Sequence, residues 1–306
     1  MSAGPVAFLL LLIAAPPARQ PATSVERALT VDGRRRTYRL YAPPSAGRAR
    51  APLVLVFHGG GGRRRNAESM TRFNGIAARE GFVVAYPDGY GRNWNDGRTD
   101  FDATAFREHV DDVAFVRALI ADVARVTPID PKRVFATGIS NGAIFSHYLG
   151  AKLAAQIAAI APVVGGMADP FYREFAPSEP VSVFAIQGTK DPLVPIGGGN
   201  VAGEGRGRII ATGEAMRMWA AADGASPAPV AGRLPDRDPR DGCTVISKKW
   251  TGGRNGTEVW LYELHGAGHT WPGGSQYLPK LVVGGVCRDF DASEAIWAFF
   301  RTHPKP

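Results

Sequence analysis

Five short runs of large and β-branched apolar residues recur along the chain, and each closes on glycine or polar residues. They read "PLVLVFHGGGG", "GFVVAYPDG", "RVFATGIS", "VSVFAIQGTKD" and "EVWLYELHGAGH". Their apolar positions are nearly continuous rather than alternating, the pattern of strands covered on both faces. Between them lie stretches with a helical rhythm. From His109 to Val126, apolar side chains fall at 110, 113, 116, 119, 120 and 123, which predicts a helix with one apolar stripe. "NGAIFSHYLGAKLAAQ", "ATGEAMRMWAAA" and "DASEAIWAFFRTH" predict three more, the last capped by Asp291 or Ser293. Strand and helix in alternation predict an α/β domain with a mostly parallel sheet. Ligands on such sheets sit beyond the carboxyl ends of the strands. The Pro-, Asp- and Arg-rich segment from Ala221 to Gly242 has no clear period and is expected to be a surface excursion, not a domain boundary. Residues 23–306 therefore read as one catalytic domain.

The N-terminus changes the picture of where this domain works. "VAFLLLLIAA", Val6 to Ala15, is ten apolar residues long. That suits the apolar region of a signal peptide and is too short to span a bilayer. Small residues follow, with Ala18 and Ala22 near a cleavage point. Residues 1–22 are expected to be a signal peptide, although no Lys or Arg precedes the apolar run. The expected location is secreted or periplasmic. In an exported chain, two cysteines, Cys243 and Cys287, favour a disulfide. Neither belongs to a metal-like cluster, so no metal is expected. The formal net charge of +8 comes mainly from scattered arginines such as Arg34-Arg35-Arg36. Without a nucleic-acid module or interleaved aromatics, this predicts a solvated basic surface and no nucleic-acid partner.

Candidate chemistry sits in the loops after the strands. "GISNG", Gly138 to Gly142, fits G-x-S-x-G between a strand and a helix. That context makes Ser140 a candidate nucleophile on a tight turn. The glycines after "FH" would let backbone N–H groups approach a developing oxyanion. Gly59 or Gly60 is expected to supply one donor and Asn141 N–H the other. "GGGGRRR" lacks the Lys-Ser/Thr pair of a phosphate loop. Asp191 in "GTKDPLVP" follows a strand and follows the serine, as an orienting acid should. Among six histidines, His269 lies in the glycine-rich loop after the last strand and is the expected base. His265 reads as a strand end, His147 as packed on a helix, and His58 as a support for the glycine loop.

"FHGGGG", "YPDGYGRNWNDGR", "DDVAFVRALI", "IDPKRVFATGISNGA", "GTKDPLVP" and "GHTWPGG" together resemble the secreted polyhydroxybutyrate depolymerase and feruloyl esterase group of α/β hydrolases, the LpqC-like esterases of carbohydrate esterase family 1. The resemblance runs from about Ala28 to His303. It implies an α/β-hydrolase fold with helices on both faces of the sheet. It also implies a serine carboxylic-ester hydrolase with nucleophile Ser140, acid Asp191 and base His269, needing no cofactor. Trp94, Asn95 and Trp271 fall where the group's substrate-lining residues are expected. The chain departs from the common "SNGGM" at Ala143 and Ile144. Hydroxyalkanoate oligomers, feruloyl or acetyl esters of polysaccharide and simple short-chain esters all suit the same triad, so the partner is an ester, polymeric or small. The alternatives are an acyltransferase using the same triad and a non-catalytic polymer-binding protein on the same scaffold. Oligomeric state is not legible.

Overall fold

A computed structural model describes residues 23–47 and 49–306. The expected signal peptide, residues 1–22, lies outside the described residues. Among the described residues the strands are β1 (Val25–Val31), β2 (Arg34–Tyr41), β3 (Ala51–Phe57), β4 (Val83–Pro87), β5 (Ile129–Ile139), β6 (Ala159–Val163), β7 (Ser182–Gly188), β8 (Gly199–Asn200), β9 (Arg208–Ile209), β10 (Val230–Arg233), β11 (Thr244–Trp250) and β12 (Val259–His265). The helices are α1 (Arg64–Thr71), α2 (Phe73–Glu80), α3 (Thr104–Arg107), α4 (Asp112–Val126), α5 (Asn141–Lys152), α6 (Asp169–Tyr172), α7 (Thr212–Asp223), α8 (Lys280–Val283) and α9 (Ala292–Phe300). Ten strands form one sheet in the order β1-β2-β4-β3-β5-β6-β7-β12-β11-β10. Its centre, β4-β3-β5-β6-β7-β12, is parallel, and antiparallel strands close both sides.

Successive residues of the central strands enter opposite cores, which is why these strands read as unbroken apolar runs. Leu53, Leu55 and Phe57 of β3 join Phe115, Leu119, Leu149 and Trp219 from α4, α5 and α7. Val54 and Val56 of the same strand join Phe73, Ile76, Ile296 and Phe300 from α2 and α9. The helix expected from His109 begins at Asp112, because Asp111 accepts a hydrogen bond from Ala114 N and caps it. Asp291 caps α9, accepting from Ser293 N and Glu294 N.

The segment from Ala221 to Gly242 lies at the surface, as expected, but it is not without regular structure. It contains the end of α7 and an edge strand, β10, antiparallel to β11. All four residues of β10 are exposed, so no buried face imposes the alternation that would reveal it. Cys243, at the start of β11, is bridged to Cys287 with a Cα–Cα separation of 5.4 Å. No helix among the described residues is long and apolar enough to cross a membrane.

Candidate active site

The carboxyl ends of four parallel strands converge on one edge of the sheet. The loop after β3 brings His58 to Gly62, the turn after β5 brings Ser140, the loop after β7 brings Asp191, and the loop after β12 brings His269. Ser140 has φ 58° and ψ −123°, a strained conformation for a residue other than glycine. The turn is tight enough to exclude side chains on both sides. A Cβ on Gly138 would lie 2.7 Å from Phe57 O, and one on Gly142 would lie 2.5 Å from the same oxygen. The two glycines of G-x-S-x-G are thus required by the close approach of the β5–α5 turn to the end of β3. Ser140 N donates to Val163 O, which ties the turn to β6.

His269 is 2 % exposed and Asp191 is 7 % exposed. His269 Nδ1 lies 2.7 Å from Asp191 Oδ2. The other carboxylate oxygen of Asp191 accepts from Leu193 N and Val194 N, both at 2.8 Å. The aspartate therefore has one oxygen committed to backbone, while the other meets the imidazole and also accepts from Gln187 Nε2 at 3.3 Å. Backbone contacts hold the His269 loop. His269 N donates to Val283 O, Gly268 N to Gly285 O, and Tyr277 Oη to His269 O. Burial, and secondarily the Asp191 charge, push Tyr277 up to about 12, so it keeps its proton. No hydrogen bond joins Ser140 Oγ and His269 among the described residues, but both line one cleft of about 1060 Å³. Gly59, Gly60 and Asn141 line it too. Asn141 N opens α5 and has no intrahelical acceptor, and Gly60 N meets no protein acceptor among the described residues.

His58 accepts at Nε2 from Gly89 N (2.9 Å) and contacts Gly59 O at 2.8 Å through Nδ1. An amide can only donate and a carbonyl can only accept, so the ring is neutral with its proton on Nδ1. Burial holds its pKa below the ordinary histidine value. Both nitrogens are occupied in fixing the glycine loop. His147 is buried against Trp219, and His265 ends β12 with an exposed side chain.

The three expected substrate-lining residues are placed elsewhere. Trp94 is fully buried, stacked on Phe145 at 5.2 Å and edge-on to Phe57 at 5.1 Å. Its indole N–H donates to His58 O. Trp271 is 1 % exposed and donates to Ser293 Oγ. Asn95 donates to Val110 O, while its backbone N–H bonds Asp112. None of the three lines the cleft, whereas Arg92, Asn93, Leu193, Tyr277 and Leu278 do. The Asn141 side chain also has a role that the sequence did not reveal. Its Oδ1 accepts from Trp94 N (2.8 Å) and its Nδ2 donates to Asp96 Oδ2 (2.6 Å). It clamps the loop carrying "NWND" onto the Ser140 turn. Asp96 is in turn paired with Arg98, and both are buried. A tryptophan set among Asn and Asp was the available signal. Such a cluster marks a loop whose ring packs inward while its neighbours hydrogen-bond.

The chain is similar to known esterases. Residues 36–174 match the family model described as "Esterase PHB depolymerase". The chain is 32% identical over 292 residues to "Putative esterase NocK" of Nocardia uniformis subsp. tsuyamanensis, covering 89% of this chain and 81% of that protein. It is 29% identical over 228 residues to "Feruloyl esterase B" of Piromyces equi, covering 72% of this chain but only 39% of that longer protein. The acetyl xylan esterase from Aspergillus awamori shares the fold, with a TM-score of 0.55 at 15% identity over 80% of this chain and 94% of that one. The chain belongs to the polyhydroxybutyrate depolymerase and feruloyl esterase group of α/β hydrolases, and it is a carboxylic-ester hydrolase.

Proposed function

We propose that the ester is cleaved by two-step acyl transfer with Ser140 as nucleophile, His269 as base and Asp191 as its orienting acid. The observation that carries this reading is the His269–Asp191 contact of 2.7 Å at the cleft that Ser140 also lines. His269 Nε2 takes the Ser140 proton as Oγ attacks the ester carbonyl carbon. The resulting oxyanion is held by Asn141 N–H and by Gly60 or Gly59 N–H, each such donor contributing roughly 2.7–4 kcal/mol. The tetrahedral intermediate collapses, His269 returns the proton to the departing alkoxide, and an acyl-serine remains. Water, deprotonated by His269, attacks the acyl carbon, and the carboxylic acid leaves with Ser140 restored. Every proton is accounted for by His269 and water, so the cycle uses no cofactor.

The substrates that fit are hydroxyalkanoate oligomers and feruloyl or acetyl esters of plant polysaccharide. The family and the relatives' own substrates support that range, and the cleft has room for more than a simple acyl group. Residues 1–22 as a signal peptide, together with the Cys243–Cys287 bridge, support action outside the cytoplasm. Hydrolysis of p-nitrophenyl butyrate by the wild type and by Ser140→Ala tests the chemistry. The variant is expected to lose about 10³-fold or more in kcat and to resist labelling by a fluorophosphonate. Wild-type turnover in Ser140→Ala would refute the assignment.

A further inference from the structure

Four arginines, Arg92, Arg98, Arg107 and Arg206, line the cleft, against one carboxylate, Asp102. Two of the four are neutralised. Arg98 is paired with buried Asp96 at 2.8 Å, and Arg107 with Asp102 at 2.5 Å. Arg92 and Arg206 are exposed, and neither side chain meets a carboxylate among the described residues. The cleft mouth therefore carries two uncompensated guanidinium groups.

The backbone under each is fixed. Arg92 sits at φ 69°, in the left-handed region, which is strained for a residue other than glycine. Its carbonyl accepts from Gly61 N at 2.8 Å, so Arg92 is tied to the glycine loop beside the nucleophile. Arg206 is reached from the other side by a chain of buried contacts. Asn141 Nδ2 donates to Asp96, Asp96 pairs with Arg98, and Arg98 Nη1 donates to Arg206 O at 2.6 Å. Arg206 also bridges Phe101 in an antiparallel β-bridge. A strained backbone and a buried ion pair are expensive ways to site two surface arginines. A guanidinium presents a fixed fork of donors suited to a carboxylate.

We propose that Arg92 and Arg206 are specificity-determining residues that bind a carboxylate carried by the substrate away from the scissile bond. This rests on the esterase reading above and narrows its substrate class to anionic esters. The carboxylate has two natural sources, the acid end of a hydroxyalkanoate oligomer or a uronate on a decorated polysaccharide.

The test uses two esters with the same leaving group, p-nitrophenyl butyrate and the mono-p-nitrophenyl ester of glutaric acid. The readout is the ratio of their kcat/KM values, glutarate over butyrate. In an Arg92→Gln, Arg206→Gln double variant this ratio is expected to fall about tenfold, mainly through KM, the size given by two exposed charge pairs. Lysine at both positions is expected to keep most of the ratio. In the wild type the ratio is expected to shrink in about 0.5 M NaCl, where screening shortens the reach of charge. A ratio unmoved by the double variant overturns the proposal. Butyrate hydrolysis that persists at the wild-type rate in Ser140→Ala would instead overturn the esterase mechanism, so the two failures are distinct. Comparing a hydroxybutyrate trimer with its methyl ester, and an acetylated xylo-oligosaccharide with and without a glucuronate branch, then identifies the source. The arm whose anionic member loses its advantage in the double variant supplies it.

Discussion

The loop after β3 starts with His58 and the loop after β12 carries His269, and the two rings are 1 % and 2 % exposed. Both lie at the same edge of the sheet among glycines. They differ in what surrounds their nitrogens. His58 has an amide on one side and a carbonyl on the other, so the protein takes both of its hydrogen-bonding positions. His269 has a carboxylate on Nδ1 and no protein partner on Nε2 among the described residues. A proton can move at a nitrogen only if that nitrogen is free and the charged ring is stabilised. His269 meets both conditions and His58 meets neither. Burial alone therefore separates structural from reactive histidines poorly here, and the count of occupied nitrogens separates them well.

The largest expected effect tests that contrast directly. His269→Ala removes the proposed base and is expected to lower kcat on p-nitrophenyl butyrate about 10³-fold or more. Fluorophosphonate labelling of Ser140 is expected to fall with it. If His269→Ala stayed within tenfold of wild type while His58→Ala lost activity outright, the roles assigned to the two rings would be reversed.

Next in size is the disulfide beneath the His269 loop. Cys287 O accepts from Gly273 N, and the neighbouring Gly285 O accepts from Gly268 N and Thr270 Oγ1. Anchoring Cys287 to Cys243 therefore steadies the segment that holds His269. The bridge closes a loop with a sequence separation of 44, worth about 3–4 kcal/mol in the chain-entropy picture. The Cys243→Ser, Cys287→Ser variant is expected to lose that much unfolding free energy, read as a lower denaturant midpoint, with kcat reduced before unfolding. An unchanged midpoint would mean that the loop is held by its backbone contacts alone. The His58 loop has no covalent anchor, so reducing agents should distinguish the two loops.

A smaller effect is expected at His58 itself. His58→Ala frees Gly59 O and leaves the buried Gly89 N–H without its acceptor. The glycine loop then loses its support, and displacing oxyanion donors by about 1 Å costs roughly 10²-fold. The expectation is a drop in kcat of about 10- to 100-fold with fluorophosphonate labelling retained at a slower rate. Abolished labelling in a folded variant would show that His58 does more than hold the loop.

Much of this contrast was legible in the chain. Five of the six parallel strands announced themselves because both faces are buried, whereas the short β6 was not singled out although it is equally buried. The order Ser140, Asp191, His269 follows from one loop per strand. The edges were less legible. β1 and β2 form an antiparallel hairpin at one side and β10 and β11 at the other. Half-exposed or fully exposed strands carry little apolar pattern. Trp94 and Trp271 resisted for another reason. Large aromatic rings suit a substrate wall and a core equally, and only the packing of Phe57 and Phe145 around Trp94 decides between them. The role of the Asn141 side chain leaves no local signal, because its partners, Trp94 and Asp96, are 45 or more positions away in sequence.

The smallest effect concerns a third buried histidine and extends the rule to proton balance. His147 lies in α5, where its Nδ1 accepts from Trp219 Nε1 at 3.0 Å. Burial lowers its pKa from 6.5 to about 3. A histidine held neutral in the folded state is protonated more readily in the unfolded chain. Falling pH therefore favours unfolding across the window from about 6.5 down to about 3. Between about pH 7.5 and pH 5.5 the folded ring stays neutral, so the unfolded chain alone sets the cost, about 1.4 kcal/mol. His58 is shifted in the same direction. Asp223 opposes both, because burial raises it to about 6. Its folded state then gains protons first, and acid stabilises it between about 6 and its ordinary value near 3.8. The useful measurement is thus a difference. His147→Gln keeps a carbonyl acceptor for Trp219 but cannot titrate. Its loss of unfolding free energy over that pH step is expected to be smaller than the wild type's by about 1 kcal/mol. Parallel stability curves for the two proteins would show that His147 is protonated in the fold as easily as in the open chain, and that enclosure by packing does not keep a ring neutral here.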